Sequence, residues 1–72
     1  MKIYELIPVY DSRKSFYGKA RVLELDNGVI QLQSYDTIVC EINAGVFSLT
    51  WGGKTQTTSR HIKEFQKQFG II

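Results

Sequence analysis

Cys40 and His61 are the single cysteine and the single histidine of this 72-residue sequence, and together they are the residues best suited to nucleophilic or metal chemistry. A thiol works as a nucleophile when a base lies beside it, and a zinc site needs further Cys or His ligands at set spacings. The sequence offers neither. Cys40 stands between Ile38 and Ile42 in the alternating run TIVCEIN, where a thiol on the inward face behaves as a small apolar residue. His61 borders an apolar helical stripe beside Phe65 and Gln68, the position of a partly buried packing residue.

The stretch GGKTQTT, from Gly52 to Thr58, imitates the end of a phosphate-binding loop, with Gly-Lys-Thr after a strand and before a helix. That motif requires another glycine five positions before Gly53, and Ser48 stands there, inside a strand. A plain turn is the better reading. Glu24, Asp26, Asp36 and Glu41 fall on strand edges and turns, and nothing selects two of them as an acid and base pair. At TTSRH, Thr57 to His61, helix N–H groups, hydroxyls and Arg60 could gather an anion, although ordinary capping explains the hydroxyls equally well. The expectation is a protein without catalytic residues, metal ligands or cofactor, and not an enzyme.

Binding is the better prospect. YDSRKSFYGKARV, from Tyr10 to Val22, combines the rings of Tyr10, Phe16 and Tyr17 with the cations Arg13, Lys14, Lys19 and Arg21, against the one acid Asp11. Aromatic rings on a surface loop either fold back onto the core or meet a partner, and Tyr10 with one of Phe16 or Tyr17 is expected to fold back. A basic rim around aromatic contacts suits protein interfaces and single-strand binders alike. The C-terminal helix adds Arg60, Lys63 and Lys67 to the candidate surface. Between Val22 and Gly53 there are acids but no Lys or Arg, so a fold that joins the two flanks acquires a basic and an acidic side despite a net charge of only +2.

The elements that must position these residues are read from periodicity. One domain spans residues 1–72, too small to bury both a core and an enclosed substrate cavity. A strand is expected over Ile3 to Val9, with Pro8 marking an edge or an end, and a second over Tyr17 to Leu25. Asn27-Gly28 signals a hairpin through residues tolerant of positive φ, leading to a strand over Val29 to Ser34. SYDT, Ser34 to Thr37, is a tight corner or a bulge. Ile38, Cys40 and Ile42 share one face, then Asn43-Ala44-Gly45 turns into a strand with Phe47, Leu49 and Trp51 on one face. TTSRHIKEFQKQFGII is the one helix. Thr57, Thr58 or Ser59 is its N-cap and Gly70 its left-handed C-terminal residue. Ile62, Phe65 and Phe69 face the sheet, Ile71 supplies the apolar contact after the cap, and Glu64 joins the basic residues on the other side.

The fold expected is α+β, an antiparallel curled meander of four or five strands with one C-terminal helix. An SH3-like small barrel is the alternative, and an OB-fold fits less well because its helix lies between strands. The lone cysteine and the absence of a long apolar run at MKIYELIPVY point to a reducing, cytoplasmic setting without a signal peptide or membrane span.

YDSRKSFYGKA, SYDT and TT.RHIKEF, at Tyr10 to Ala20, Ser34 to Thr37 and Thr57 to Phe65, resemble the recurrent segments of a family of small uncharacterised proteins from bacteria and their phages and plasmids. The resemblance covers nearly the whole chain and implies a mobile-element setting, where short proteins often bind a host factor and can inhibit host defence. It transfers no residue roles. The function expected is non-enzymatic docking on a macromolecular partner, a protein in the first instance. Nucleic acid held by phosphate contacts is the alternative, and self-association through an open sheet edge is compatible with both.

Overall fold

The computed structural model describes residues 1–53 and 55–71. Five strands, β1 (Lys2–Glu5), β2 (Ala20–Glu24), β3 (Ile30–Ser34), β4 (Thr37–Asn43) and β5 (Val46–Leu49), precede one helix, α1 (Gln56–Gln68). The strands form a single antiparallel sheet in sequence order, so the expected α+β meander is the fold. β1 and β5 are its two open edges, and the barrel alternative is not realised among the described residues.

Local chemistry explains most of the turns. At Asp26-Asn27-Gly28 only Gly28 takes positive φ (88°), with Gly28 N–H donating to the Leu25 carbonyl and Leu25 N–H to Val29. This is a three-residue loop ending in a left-handed glycine, rather than the expected turn with both Asn27 and Gly28 left-handed. SYDT is a tight corner at Tyr35-Asp36, while a bulge lies just beyond it. Leu32 pairs with Cys40 but Gln33 pairs with Ile38, so Val39 is the extra residue of β4. The bulge resets the alternation. Val39 and Cys40 are both buried, and Ile38 falls opposite the outward Gln33 instead of sharing a face with Cys40 as the unbroken pattern predicts.

Other boundaries differ for similar reasons. β1 stops at Glu5 rather than Val9, because residues 7–11 turn away to run along the helix. β2 begins at Ala20 rather than Tyr17, because Phe16 to Lys19 close a tight turn, with Lys19 N–H donating to the Phe16 carbonyl at 2.9 Å. The N-cap is Thr55, ahead of the expected Thr57, Thr58 or Ser59. Thr55 is extended and its hydroxyl accepts the Thr58 N–H at 3.1 Å, while the Thr58 side chain is buried against Ser34. The C-terminus is as expected: Gly70 is left-handed (φ 74°), Gly70 N–H donates to Lys67 and Ile71 N–H to Gln66, a Schellman closure that lets Ile71 pack on the core.

The helix crosses the sheet chiefly above β3. Phe65 is fully buried among Leu6, Phe16, Val22, Leu32 and Cys40, with Ile62 and Phe69 partly buried at the margins. Burying a large side chain contributes roughly 1.5–3 kcal/mol, so this one layer of contacts supplies most of what holds helix to sheet.

Candidate binding surface

Strand direction places the end of β1, the start of β2, the end of β3 and the start of β4 at one end of the sheet. Lys19 and Arg21 stand at that end, and the N-terminal half of α1 brings Arg60 over it through the Ser34 to His61 contact. Glu24 and Asp26 lie at the opposite end, where Asp26 accepts from the N-terminal ammonium of Met1. The charge segregation of the sequence thus becomes a partial polarity along the strands, with Glu5 and Asp36 at the basic end and Lys2 at the acidic one.

The loop between β1 and β2 is built by the helix. Glu64, grouped by sequence with the exposed cations, is instead almost fully buried, and its carboxylate accepts backbone N–H bonds from Val9 (2.9 Å), Tyr10 (3.0 Å) and Asp11 (2.8 Å). Gln68 Nε2 donates to the same carboxylate at 2.6 Å and to the Ile7 carbonyl at 2.7 Å. Burial alone would raise the carboxyl, but the bonds from Gln68, Val9, Asp11 and Tyr10 outweigh it and hold Glu64 below its ordinary value. Asp11 continues the chain of contacts, accepting Arg13 N–H at 2.9 Å and pairing with Arg60 at 3.2 Å. The Arg13 N–H bond, with Arg60 beside it, keeps the Asp11 carboxyl low against a partial loss of solvation.

Two concave regions border the helix, and Arg60 lines both. The larger is an open groove of about 1130 Å³ where α1 stands off from β5. Phe47, Leu49 and Trp51 form its apolar wall, as their shared face predicts, with Ile62 opposite, and Tyr10, Lys63 and Lys67 at the rim. Leu49 is 61% exposed although it pairs with the buried Cys40, because no helix covers this edge. Trp51 lies over Gly53, where an added Cβ would sit 2.3 Å from the ring; Gly53 is thus a packing glycine, and Lys54 of the phosphate-loop look-alike lies outside the described residues.

The smaller is a cleft of about 230 Å³ bordered by Arg13, Phe16, Tyr17, Lys19, Arg60 and His61, with Tyr35 at its mouth. Phe16 is 4% exposed and belongs to the core, so it is removed from the candidate surface; its ring meets His61 at a tilt of 58°, with centroids 4.5 Å apart. Tyr17, by contrast, is 79% exposed, and Tyr10 is exposed rather than folded back. Lys14 and Arg21 join neither concavity. Lys14 is exposed on the loop, and Arg21 points from the outer face of β2, between Glu5 and Gln33.

Sequence reasoning missed the polar cluster beneath the cleft. Ser34 Oγ lies 2.8 Å from His61 Nδ1 and 3.0 Å from Thr58 Oγ1, all three buried. Burial holds His61 below its ordinary value, partly opposed by Asp11. Thr58 and His61 are one helical turn apart, which is the only trace of this cluster in the sequence. Cys40 does not meet His61 in any hydrogen bond, and burial pushes its thiol up to about 12, the opposite of an activated nucleophile. Among the described residues no group of His, Cys, Asp or Glu is arranged to hold a metal, and no helix is long and apolar enough to cross a membrane.

No solved structure matches this chain. A tRNA-guanine(15) transglycosylase from Pyrococcus furiosus is 40% identical over 53 residues, covering 74% of the chain and 9% of that enzyme. The chain therefore spans a small fraction of that relative. A family model matches residues 4–71, and the chain belongs to DUF8033, a family of unknown function.

Proposed function

We propose that this chain is a non-enzymatic binding protein that docks on a protein partner through the groove between β5 and α1. The observation that carries the reading is the apolar wall of exposed Leu49 and half-buried Phe47 and Trp51 beside a free sheet edge, facing a helix rimmed by Lys63 and Lys67. An extended segment with alternating apolar and acidic residues matches all three features. Its backbone adds to β5, its apolar side chains fill the groove, and its acids meet the lysines. A mobile-element setting, as the resemblance implies, would make the partner a host protein, a defence factor among them.

A second reading is favoured by one observation: Tyr17 and Tyr35 stand exposed beside Arg13, Lys19 and Arg60, a combination that suits stacked bases and phosphates. The partial likeness to an enzyme named for tRNA adds to it.

Affinity capture with and without nuclease separates the two, using wild type, Leu49→Asp and an Arg13→Glu, Lys14→Glu double variant. The expected result is a protein partner retained after nuclease, lost with Leu49→Asp and only slowed in association by the double variant. Tight oligonucleotide binding that weakens steeply with salt, with a slope flattened by about one unit per removed cation, would instead establish the second reading.

A further inference from the structure

The cleft beneath Tyr17 and Tyr35 has features that the groove reading does not use. Its border brings together the cations Arg13, Lys19 and Arg60, and no carboxylate lines it. Asp11 engages Arg60 through Nη1 from outside the cleft, and the rest of that guanidinium has no further hydrogen bond among the described residues. Glu5 is occupied by the Gly18 N–H, and Asp36 sits exposed in the neighbouring turn.

His61 adds a second, independent sign. It is 1% exposed, it borders the cleft, and its Nε2 has no hydrogen-bond partner among the described residues. Its other nitrogen is taken by Ser34, whose hydroxyl is shared with Thr58. Ser34 can donate to Nδ1, in which case the neutral ring carries its proton on Nε2, the unpartnered nitrogen of a residue that borders the cleft and lies against Phe16 and Tyr35. Buried donors of this kind ordinarily meet an acceptor.

The backbone around the mouth is also held in an unusual form. Tyr17 (φ 55°) and Tyr35 (φ 57°) are both left-handed, a conformation that bulky residues rarely adopt. Tyr35 N–H donates to the Lys19 carbonyl at 2.7 Å, and the Lys19 ammonium lies 5.7 Å from the Tyr35 ring centre, so the two turns are tied together around Lys19.

We propose that this cleft binds an oxyanion of the phosphate class, held by Arg13, Lys19 and Arg60 and reached from below by His61 Nε2–H. At about 230 Å³ the cleft is smaller than ligand pockets of roughly 300–1,000 Å³, so it takes one phosphate-sized group and leaves the remainder of any larger ligand against the tyrosines. The source of the group is either free phosphate or the phosphodiester of a single strand, whose bases would stack on Tyr17 and Tyr35. The site is separate from the β5 groove, and its failure would leave the groove reading standing.

The test is a titration followed by NMR of the His61 ring and the backbone amides of residues 13–19, with inorganic phosphate in one arm and a short oligothymidine in the other. Wild type, an Arg13→Gln, Lys19→Gln double variant and a Lys63→Gln, Lys67→Gln control are compared. Saturable shifts of the His61 ring, weakened at least tenfold in the Arg13, Lys19 variant and unchanged in the control, are expected. Oligothymidine binding more than tenfold tighter than phosphate, and competed by phosphate, identifies the strand as the source; equal or weaker binding identifies free phosphate. The proposal is overturned if neither probe moves the His61 ring, or if the Lys63, Lys67 control weakens binding as much as the Arg13, Lys19 variant. His61→Asn checks the buried donor: with folding retained by circular dichroism, unchanged affinity would remove His61 from the site.

Discussion

The two flanks of the helix are built from the same kinds of residue and end in opposite states. On one, Glu64 and Gln68 clasp residues 7–11, so the chain itself fills the space and its backbone N–H groups find a carboxylate. On the other, Ile62 faces Phe47, Leu49 and Trp51 across a gap that no segment occupies. The closed flank shows what this helix accepts, an extended stretch docked side by side with it. The open flank presents Lys63 and Lys67, although Asp11 and Glu64 also line it, so the proposed occupant is extended and sets its acids opposite the lysines.

The largest effect should come from the residue beneath both flanks. Phe65→Ala removes the fully buried ring that joins helix to sheet and is expected to cost about 3–5 kcal/mol, a large part of what a small domain has. A thermal melt followed by circular dichroism checks it; a midpoint within a few degrees of wild type would show that neither flank depends on this contact.

Glu64→Ala breaks only the closed flank. Three backbone donors and Gln68 lose a buried acceptor, for an expected loss of about 3 kcal/mol. Amide exchange at Val9, Tyr10 and Asp11 should quicken while β3 and β4 stay protected.

Acid should loosen the helix from the sheet and loop in two stages. His61 is held below its ordinary value by burial, so the unfolded chain takes up protons first as pH falls past about 6.5, and stability drops from there until the folded ring titrates. Glu64 is also held low, so its contribution, complete above about 4.5, is lost as pH falls through the folded value. Melting temperature against pH should show both declines, and His61→Asn should erase the upper one alone.

The open flank should tolerate change. Leu49→Ala, at a residue already 61% exposed, is expected to shift stability by less than about 0.5 kcal/mol while weakening partner capture. Beneath it Cys40 should stay inert, its thiol pushed up to about 12 by burial. Labelling by a thiol reagent no faster than global unfolding is the expected outcome, and rapid labelling of the native protein would mean the groove reaches into the core.

Much of this architecture could be read from spacing. The hairpins at Asn27-Gly28 and Ala44-Gly45, the apolar face of Phe47, Leu49 and Trp51, the buried Cys40 and the Gly70 closure all rest on local chemistry, which a sequence displays directly. The sequence groups Tyr10, Arg13, Tyr17, Lys19, Arg60, Lys63 and Lys67 as one surface, and the structure divides them between the groove and the cleft. What stayed hidden depends on partners far along the chain. Glu64 looks like any solvated helix acid because its acceptors' counterparts are backbone N–H groups, which every residue has. Phe16 and Tyr17 are adjacent rings of similar character, and only the left-handed turn at Tyr17 decides that Phe16 enters the core. The bulge at Val39 moves Ile38 to the other face without any glycine or proline to announce it.

The clasp at Glu64 also sets an order of events. Each strand of the sheet pairs with the one that follows it in the chain; the β2–β3, β3–β4 and β4–β5 hairpins need only short loops, and even the β1–β2 connection of residues 6–19 is far shorter than the clasp. The clasp joins positions 53 to 55 apart, and closing so long a loop costs about 3.5 kcal/mol of chain entropy on the logarithmic rule. The sheet should therefore be in place before residues 7–11 find the helix. The loop that carries Tyr10 and Arg13 is made early in the chain but takes its shape late, and the capacity to bind through it becomes the last property to mature as the protein folds.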